Sequence, residues 1–307
     1  MRIKKKHIIT IALLLCVVFL ARIGLIHYAS YKQKRARWNA LSDEVADLAR
    51  DFNGSPSVII KDLQRSWLIS IAPEAKIPSA SIVKIPIMAT CFYAAKEGKI
   101  KLDQKMPLKQ SDKTGGSGIL KNKRSGTTFT VTQLIDLMIT ISDNTASNML
   151  IKLLGFDYLN TCFKKFGLTD TNLSRLMMDM RSRDKGIENY TTAKDMAKLL
   201  EKIYKGKLIN KEISKKCLDV LKEQRSRTRI PRRLPKDTVV AHKTGLEKGT
   251  CHDVGIVFTD NGDFIICVVI SHKNRSANSS KKLISNIARL SYDYYMVTED
   301  CNLKCDK

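Results

Sequence analysis

Residues 78–90 read Pro-Ser-Ala-Ser-Ile-Val-Lys-Ile-Pro-Ile-Met-Ala-Thr, and they combine reactive side chains with an apolar helical pattern. A helix is predicted over Ile82 to Lys99, and the spacing places the Ser81 hydroxyl and the Lys84 amine on one face at its start. Burial of this apolar helix is expected to destabilise the lysine ammonium. A neutral lysine beside a serine can accept the hydroxyl proton and create a nucleophile.

Two other segments have the same Ser-x-x-Lys spacing, Ser182 to Lys185 and Ser279 to Lys282. Both lie among polar residues, where a lysine stays solvated and charged. A single match of this kind is more often a capping serine followed by a surface lysine. The apolar helix that follows Ser81 therefore favours Ser81 and Lys84 as the reactive pair.

Two further polar motifs follow along the chain. Ser142-Asp143-Asn144 interrupts an apolar helical pattern over Val131 to Leu154, either as a helix-capping turn or as buried polar groups that need partners. Lys243-Thr244-Gly245 follows a β-branched run, and on an edge strand these residues suit an extended ligand that carries a carboxylate. A second Lys-Thr-Gly at Lys113 is rejected because it lies in a Gly/Ser-rich loop with no preceding strand.

The three motifs occur in the order found in class A β-lactamases and penicillin-binding proteins, and the chain resembles this superfamily from about Ser57 to Tyr295. The resemblance implies a serine nucleophile that becomes acylated, a proton relay and an oxyanion hole. The resemblance implies that Ser81 is the nucleophile, that Lys84 accepts or relays its proton, and that Ser142 passes a proton to the leaving nitrogen. It implies that Asn144 binds the amide side chain of the substrate and that the Lys243-Thr244-Gly245 strand binds the substrate carboxylate. The backbone N–H groups of Ser81 and Leu246 would form the oxyanion hole.

One loop departs from the pattern of this superfamily. The family's loop carries a glutamate that activates the deacylating water, and the corresponding position here is Met177. Asp179 is the nearest acid and is a candidate base if the loop turns its carboxylate inward. Without a positioned base the acyl-enzyme is expected to be long-lived. Three functions therefore stay open: a β-lactam hydrolase, a D-Ala-D-Ala carboxypeptidase or penicillin-binding protein, and a β-lactam sensor that stays acylated.

The chain is strongly basic. It has 307 residues, with 54 Lys+Arg against 30 Asp+Glu and a formal charge of +24. Such an excess of positive charge favours phospholipid or anionic cell-envelope polymers as partners. Nucleic acid is disfavoured as a partner, because the charge is dispersed along the chain and the domain is predicted to lie outside the cell. The basic stretch from Arg225 to Lys236 is either a solvated loop or the source of an arginine, Arg229 or Arg232, that assists Lys243 in binding a carboxylate.

The N-terminal segment predicts export. Basic residues Arg2 to Lys6 precede an apolar run from Ile8 to Ala21. No A-x-A-like site follows, so an uncleaved anchor over residues 1–29 is preferred to a cleaved signal peptide. Residues 30–38 are then a basic juxtamembrane linker, and residues 39–307 form a domain on the extracytoplasmic face of a bacterial cell membrane, expected to be a monomer.

β-Branched runs at both ends of this domain enclose a long helical middle. The predicted fold is α/β: an antiparallel sheet built from both ends of the domain, flanked by helices, with an inserted all-helical lobe. A separate helix is predicted over Leu41 to Phe52, with Ser42 as its cap.

Seven of the eight cysteines lie beyond the N-terminal segment, so at least one stays free if all pairing is internal. Cys251 and Cys267 flank Asn261-Gly262, and a two-residue turn there would place Cys251 opposite His272, so these two are not expected to bridge. Cys301 and Cys305 in the tail could pair or could be solvent-exposed thiols. The histidines and cysteines lack metal-ligand spacing, and neither a metal nor another cofactor is expected.

Overall fold

The computed structural model describes residues 5–273 and 276–297, with side chains from residue 13 onward. The chain divides into two compact units, Met1–Val45 and Ala46–Lys307. Nine helices are assigned within the described residues: α1 (Lys5–Arg50), α2 (Lys84–Lys96), α3 (Val131–Thr140), α4 (Asn144–Leu154), α5 (Phe156–Lys165), α6 (Met180–Asp184), α7 (Ala193–Tyr204), α8 (Lys211–Lys222) and α9 (Asn278–Met296). The strands are β1 (Ser55–Asp62), β2 (Leu68–Ile71), β3 (Ile77–Pro78), β4 (Lys105–Pro107), β5 (Thr128–Thr130), β6 (Tyr190–Thr191), β7 (Val240–Glu247), β8 (Thr250–Val257) and β9 (Phe264–Ser271).

Helix α1 begins in the first unit, and its segment Leu13–Arg50 is long and apolar enough to cross a membrane. A signal sequence meets the same criterion, so the helix is compatible with export and does not distinguish an anchor from a signal. The prediction of a separate helix capped by Ser42 is wrong, because α1 continues through that residue. The sequence from Leu25 to Arg50 contains neither Gly nor Pro, so nothing interrupts the helix there.

The second unit contains an antiparallel sheet of five strands in the order β2-β1-β9-β8-β7. Its strands come from the beginning and the end of the unit, and the helices α3 to α8 lie between them in sequence. This confirms the predicted α/β fold. Strand β7 forms one edge of the sheet, as the Lys-Thr-Gly motif required.

Helix α2 is the centre of the core. All of its residues from Lys84 to Ala94 are buried, and it packs against α3, α4, α5 and α8. Helix α7 covers strands β1, β8 and β9. A buried cluster of aliphatic side chains joins these helices to the sheet, with Ile82, Met88, Leu134, Leu150, Val254 and Ile265 among its members. The serine before α2 is thereby attached to a rigid support.

The hairpin between β8 and β9 differs from the prediction. Cys251 lies opposite Ile270 rather than His272. The connection is longer than a two-residue turn: the N–H of Gly262 donates to the carbonyl of Thr259 at 3.3 Å, and the carboxylate of Asp263 accepts the N–H of Thr259 at 3.1 Å. The observed register therefore differs from the predicted one by two residues.

The cysteines that the structure describes are free thiols. Cys251 and Cys267 do not bridge, as predicted, and both are buried in the sheet. Cys16 is exposed, and Cys91, Cys162 and Cys217 are buried. Cys301 and Cys305 lie outside the described residues.

Candidate active site

Ser81 lies at the start of α2, in a single 3-10 turn, Ala80–Val83, that precedes the α-helix. The preceding residue, Ala80, has a left-handed backbone with φ of +43°. Such a conformation is costly for a residue with a Cβ and persists only where the surroundings enforce it. Ser81 is half-buried and lines a cavity of about 340 Å³. Among the described residues its hydroxyl has no hydrogen-bond partner, so it is free to meet a ligand.

The amine of Lys84 is buried one helical turn beyond Ser81. It donates to the carbonyl of Ser142 at 2.8 Å, to the hydroxyl of Ser142 at 3.2 Å and to Oδ1 of Asn144 at 2.7 Å. Burial holds the pKa of Lys84 well below its usual value, and the positive charge of Lys243 adds to this, while the carboxylate of Asp143 opposes it. The neutral amine, the form that can accept a proton, is therefore favoured relative to that of a solvated lysine.

Ser142 occupies the short turn between α3 and α4. Its φ is +59°, and this left-handed residue points the hydroxyl at both buried lysines. Asp143 caps α4 by accepting the N–H of Ala146 at 2.9 Å. The same carboxylate accepts the N–H groups of Ile119 and Leu120 at 2.7 and 2.9 Å, which ties the loop after Gly115 to this turn. The Ser142-Asp143-Asn144 motif is thus both a cap and a set of buried polar groups.

Glycine is required where this loop passes over the turn. A Cβ on Gly118 would lie 2.3 Å from the carboxylate of Asp143, and its φ is +106°. The side-chain amide of Asn144 donates to the carbonyl of Gly115 at 3.1 Å. The Gly-Gly-Ser-Gly segment is therefore one wall of the cavity, fixed by two side chains of the motif.

Lys243 approaches the same turn from strand β7. Its amine donates to the hydroxyl of Ser142 at 3.0 Å and to the carbonyl of Thr244 at 2.9 Å. Burial lowers its pKa to about 7, with Asp253 raising the value and Arg229 lowering it. Gly245 allows this close approach, because a Cβ there would lie 3.3 Å from Ile82 and 3.0 Å from the ring of His252.

Arg229 is the arginine of the basic stretch that lies behind Lys243. It is buried, and its Nε donates to the thiol of Cys251 at 3.3 Å. Arg232, the alternative from the sequence, is exposed, and so are Arg225, Arg227, Arg233 and Lys236. The basic stretch is therefore a solvated loop apart from one buried guanidinium near the lysine.

Two histidines that sequence reasoning passed over hold β7 and β8 in place. His252 is buried and pairs with the carbonyl of Pro78 at 2.8 Å, while the N–H of Ile270 donates to its other nitrogen. Burial lowers its pKa to about 4, so it is neutral and joins the sheet to the segment before Ser81. His242 lies 2.8 Å from the carboxylate of Asp253, which also accepts the N–H of Ile230.

The loop opposite this cluster presents methionines to the cavity. Met177, Met178 and Met180 all line it. The backbone of Met177 is held on both sides by Asn148, which accepts its N–H at 2.8 Å and donates to its carbonyl at 3.1 Å. Asn148 lies one helical turn after Asn144 on α4, a spacing that could have identified it from the sequence.

Asp179 uses its carboxylate for hydrogen bonds within its own loop. Its carboxylate caps α6 by accepting the N–H of Ser182 at 3.1 Å and the hydroxyl of Ser182 at 2.6 Å. These bonds lower its pKa, and the residue is not among those that line the cavity in the described structure. Ser182, the serine of the second Ser-x-x-Lys copy, is therefore the residue to which the helix cap is hydrogen-bonded.

An ionic cluster fixes the loop against the end of β7. Arg175 donates to Glu188 at 2.8 Å and to both oxygens of Glu247 at 2.9 and 3.0 Å. Arg183 lies 3.3 Å from Glu247 and 3.4 Å from Glu188. Both acids are therefore neutralised, including Glu247, which lines the cavity.

Comparison with known proteins agrees with this arrangement. A model of the beta-lactamase enzyme family matches residues 40–295. The chain belongs to that family. Beta-lactamase VEB-1 of Pseudomonas aeruginosa is 28% identical over 278 residues, which cover 85% of this chain and 92% of the relative.

Two solved structures extend the comparison. The beta-lactamase of Sphaerobacter thermophilus is 29% identical with a TM-score of 0.77, over 84% of this chain and 97% of that chain. The acyl-enzyme complex of a PBP-A mutant with penicillin G is 26% identical with a TM-score of 0.77, over 84% of this chain and 96% of that chain. The protein is a β-lactamase-like serine hydrolase.

The fold of this family member brings together most residues that the sequence selected. Lys84, Ser142, Asn144 and Lys243 share hydrogen bonds, and Ser81 opens the helix that carries Lys84. Leu246 lines the cavity with 52% of its surface exposed. Three groups were missed: Asn148, the His252–Pro78 link, and the cluster of Arg175 with Glu188 and Glu247.

Proposed function

We propose that this protein is acylated by β-lactams at Ser81, opens the lactam amide and releases the product slowly. The observation that supports acylation is the chain of buried hydrogen bonds that joins Lys84, Ser142 and Lys243 beside the free Ser81 hydroxyl. The methionines on the facing loop support slow release.

In the proposed acylation, Ser81 Oγ forms a bond to the lactam carbonyl carbon and gives its proton to the neutral amine of Lys84. The N–H groups of Ser81 and Leu246 stabilise the oxyanion of the tetrahedral intermediate. As the carbon–nitrogen bond breaks, Ser142 protonates the leaving nitrogen and recovers a proton from Lys84. The hydroxyl of Ser142 accepts hydrogen bonds from both lysines, so its own proton is available for this transfer.

Strand β7 also carries the residues that bind the substrate carboxylate in this proposal. The cation of Lys243 and the hydroxyl of Thr244 bind the substrate carboxylate, and the buried charge of Arg229 adds to the positive field there. Asn144 keeps one amide proton for the acyl side chain of the substrate, since its other contacts are to Lys84 and Gly115.

Deacylation needs a base that removes a proton from water. Of the residues that line the cavity in the described structure, Glu247 alone carries a carboxylate, and it accepts from Arg175 and Arg183. A thioether cannot replace a carboxylate as a base. General-base assistance is worth about 10²–10⁴-fold, so the acyl-enzyme is expected to accumulate.

A D-Ala-D-Ala carboxypeptidase is the second candidate function. Attack by Ser81, the oxyanion hole and a site for a carboxylate serve a peptide terminus as well as a lactam. The absence of a free carboxylate from the described cavity counts against rapid antibiotic turnover and thereby raises the weight of this candidate. In either case the α1 helix would serve as a membrane anchor that keeps the catalytic unit on the outer face.

The function is tested by timing the label from a fluorescent penicillin on the full-length protein in detergent. We expect one label per chain, formed faster than it is lost, and hydrolysis of nitrocefin with a stoichiometric burst and slow turnover. A D-Ala-D-Ala peptide is assayed in parallel for release of D-Ala. Absence of labelling would contradict acylation, and fast hydrolysis without a burst would contradict slow release.

A further inference from the structure

Asp253 on strand β8 is a carboxylate to which the proposed function gives no role. It is completely buried, with 0% of its surface exposed. In the sheet it lies directly opposite Thr244, the residue that follows Lys243 on β7. Directly opposed residues of an antiparallel pair lie close together on the same face of the sheet. The carboxylate is therefore a neighbour of the two residues to which we assign binding of the substrate carboxylate.

Both oxygens of Asp253 are held by the protein. Oδ1 lies 2.8 Å from Nδ1 of His242, and Oδ2 accepts the N–H of Ile230 at 3.0 Å. Asp253 is also not among the residues that line the active-site cavity in the described structure. The side chain is thus fixed behind the site, where it can influence the reaction through its charge, since charges interact strongly over several ångströms in a buried environment.

Two buried cations lie around this carboxylate. Lys243 is 0% exposed, and Arg229, which precedes Ile230 in the chain, is 4% exposed. Burial favours the neutral form of a lysine, a neighbouring guanidinium favours it further, and a neighbouring carboxylate opposes both effects. The pKa of Lys243 follows this balance: burial lowers it, Asp253 raises it and Arg229 lowers it, with a result of about 7.

The cavity side and the end of the strand do not supply this negative charge. Lys84 is a second cation on the cavity side, and the carboxylate of Asp143 beside it accepts three backbone N–H groups. At the end of β7, Glu247 is paired with Arg175 and Arg183.

The elements packed around β7 do not supply it either. Strands β7, β8 and β9, all of which the structure describes, hold no second buried carboxylate, and their other buried ionisable groups are two imidazoles and two thiols: His242, His252, Cys251 and Cys267. The charged side chains of α8 are exposed, and Asp293, the acid of α9, is paired with Arg289 at the surface. Water and salt screen such surface charges. Asp253 is therefore the carboxylate placed to act on Lys243.

We propose that Asp253 is a positioning residue for acylation: its buried carboxylate keeps the amine of Lys243 protonated and thereby sets the highest pH at which the substrate carboxylate is bound. The inference rests on the proposed function, in which the cation of Lys243 binds that carboxylate. It adds that the pH range of the reaction is determined from behind strand β7, by the charge of Asp253 acting against that of Arg229.

The test measures the second-order rate constant for acylation of the full-length protein by a fluorescent penicillin between pH 5 and 9. The readout is the pH above the maximum at which this constant has fallen to half. Asp253→Asn keeps an acceptor for the N–H of Ile230 and a hydrogen-bonding group beside His242. The half-maximal pH of this variant is expected to fall by about one pH unit, because a neighbouring opposite charge shifts a titration by about one to three units. A defect in folding would instead lower the constant by the same factor at every pH.

Two further variants assign the shift to the charge on Lys243. His242→Asn keeps a donor beside the carboxylate and leaves the charge of Asp253 in place, so it should not move the half-maximal pH downward. In Lys243→Arg the side chain stays charged throughout this pH range. Addition of Asp253→Asn to Lys243→Arg should therefore leave the pH profile unchanged.

The outcomes separate the inference from the proposed function. A wild-type constant that does not decline up to pH 9, an unmoved half-maximal pH in Asp253→Asn, or a shift of equal size in the Lys243→Arg background would overturn the inference while acylation itself stands. Absence of acylation of the wild type at every pH would overturn the proposed function and the inference with it. If Asp253→Asn does not fold, Arg229→Gln decides: loss of the opposing cation should raise the half-maximal pH, and a value that does not rise would overturn the inference.

Discussion

The two sides of the cavity differ in chemistry. The polar wall consists of Ser81, which lines the cavity, and of Lys84, Ser142 and Lys243, which do not line it themselves; hydrogen bonds of 3.2 and 3.0 Å join the two lysines to the hydroxyl of Ser142. The methionine wall, formed by Met177, Met178 and Met180, offers thioethers and a backbone held by Asn148. Hydroxyls and amines can transfer protons and thioethers cannot, so we expect the acyl-enzyme to form faster than it is hydrolysed.

The walls also differ in how they are held. The polar wall rests on the buried helix α2 and on strand β7, so its groups are placed by the core itself. The methionine wall is a loop fixed by Arg175, Glu188 and Glu247. Met178 and Met180 are exposed, whereas Met177 also belongs to the buried apolar cluster. Changes at Met178 and Met180 should therefore alter turnover with little effect on the core, and a change at Met177 also affects packing.

The largest effect is expected from the polar wall. Ser81→Ala should abolish covalent labelling by penicillin, because the bond-forming oxygen is lost. Mass spectrometry of the intact protein after exposure to penicillin measures the adduct. Ser182→Ala and Ser279→Ala, which alter the other two Ser-x-x-Lys copies, should label normally. An adduct that persists in Ser81→Ala would show that the nucleophile is a different serine.

The next effect comes from placing a base in the methionine wall. Met177→Glu should speed deacylation by about 10²–10⁴-fold, because it sets a carboxylate at the position that Asn148 holds against the cavity. Met177→Gln has nearly the same shape without the base and is the matched control. Label loss after removal of excess fluorescent penicillin gives the rate. Equal deacylation in the two variants would show that a base at this position is not what turnover lacks.

A smaller effect is expected from pH. The pKa of Lys243 is about 7, so the amine is cationic below that pH and loses its charge as the pH rises through it. Binding of the substrate carboxylate should weaken accordingly, and the acylation rate constant at low penicillin should fall up to about tenfold per unit above pH 7. In Lys243→Arg the side chain stays charged, so the acylation rate constant should no longer fall above pH 7, whatever its absolute value. A wild-type profile with no decline between pH 7 and 9 would contradict the role of the Lys243 cation.

The smallest effect is expected at Asp179. Asp179→Asn should leave deacylation within about twofold, because the carboxylate caps α6 and does not line the cavity. Asparagine is an equally good cap, so the melting temperature should also change little. Turnover and thermal unfolding are measured on the same preparation. A large loss of turnover with an unchanged melting temperature would instead make Asp179 the base.

The sequence by itself determined the order of the motifs and the class of the fold. Ser81 and Lys84 are three residues apart on one apolar helix, and local periodicity suffices to place them together. The strands at the two ends and the helices between them follow from alternation and 3.6-residue periodicity in the same way. The sequence also shows directly that Met177 stands where the family has its deacylating glutamate.

Tertiary structure decided what local patterns cannot encode. The bond from Lys243 to Ser142 joins residues about a hundred positions apart, and Gly245 lets β7 lie against Ile82 in the 3-10 turn before α2. The choice of Arg229 over Arg232 depends on which guanidinium is buried, and the capping role of Asp179 depends on the path of the loop. The register of β8 and β9 was mispredicted because the connection between them is longer than the two-residue turn that the sequence suggested. Periodicity reports which residues share a face, whereas burial and long-range hydrogen bonds arise only when distant segments pack.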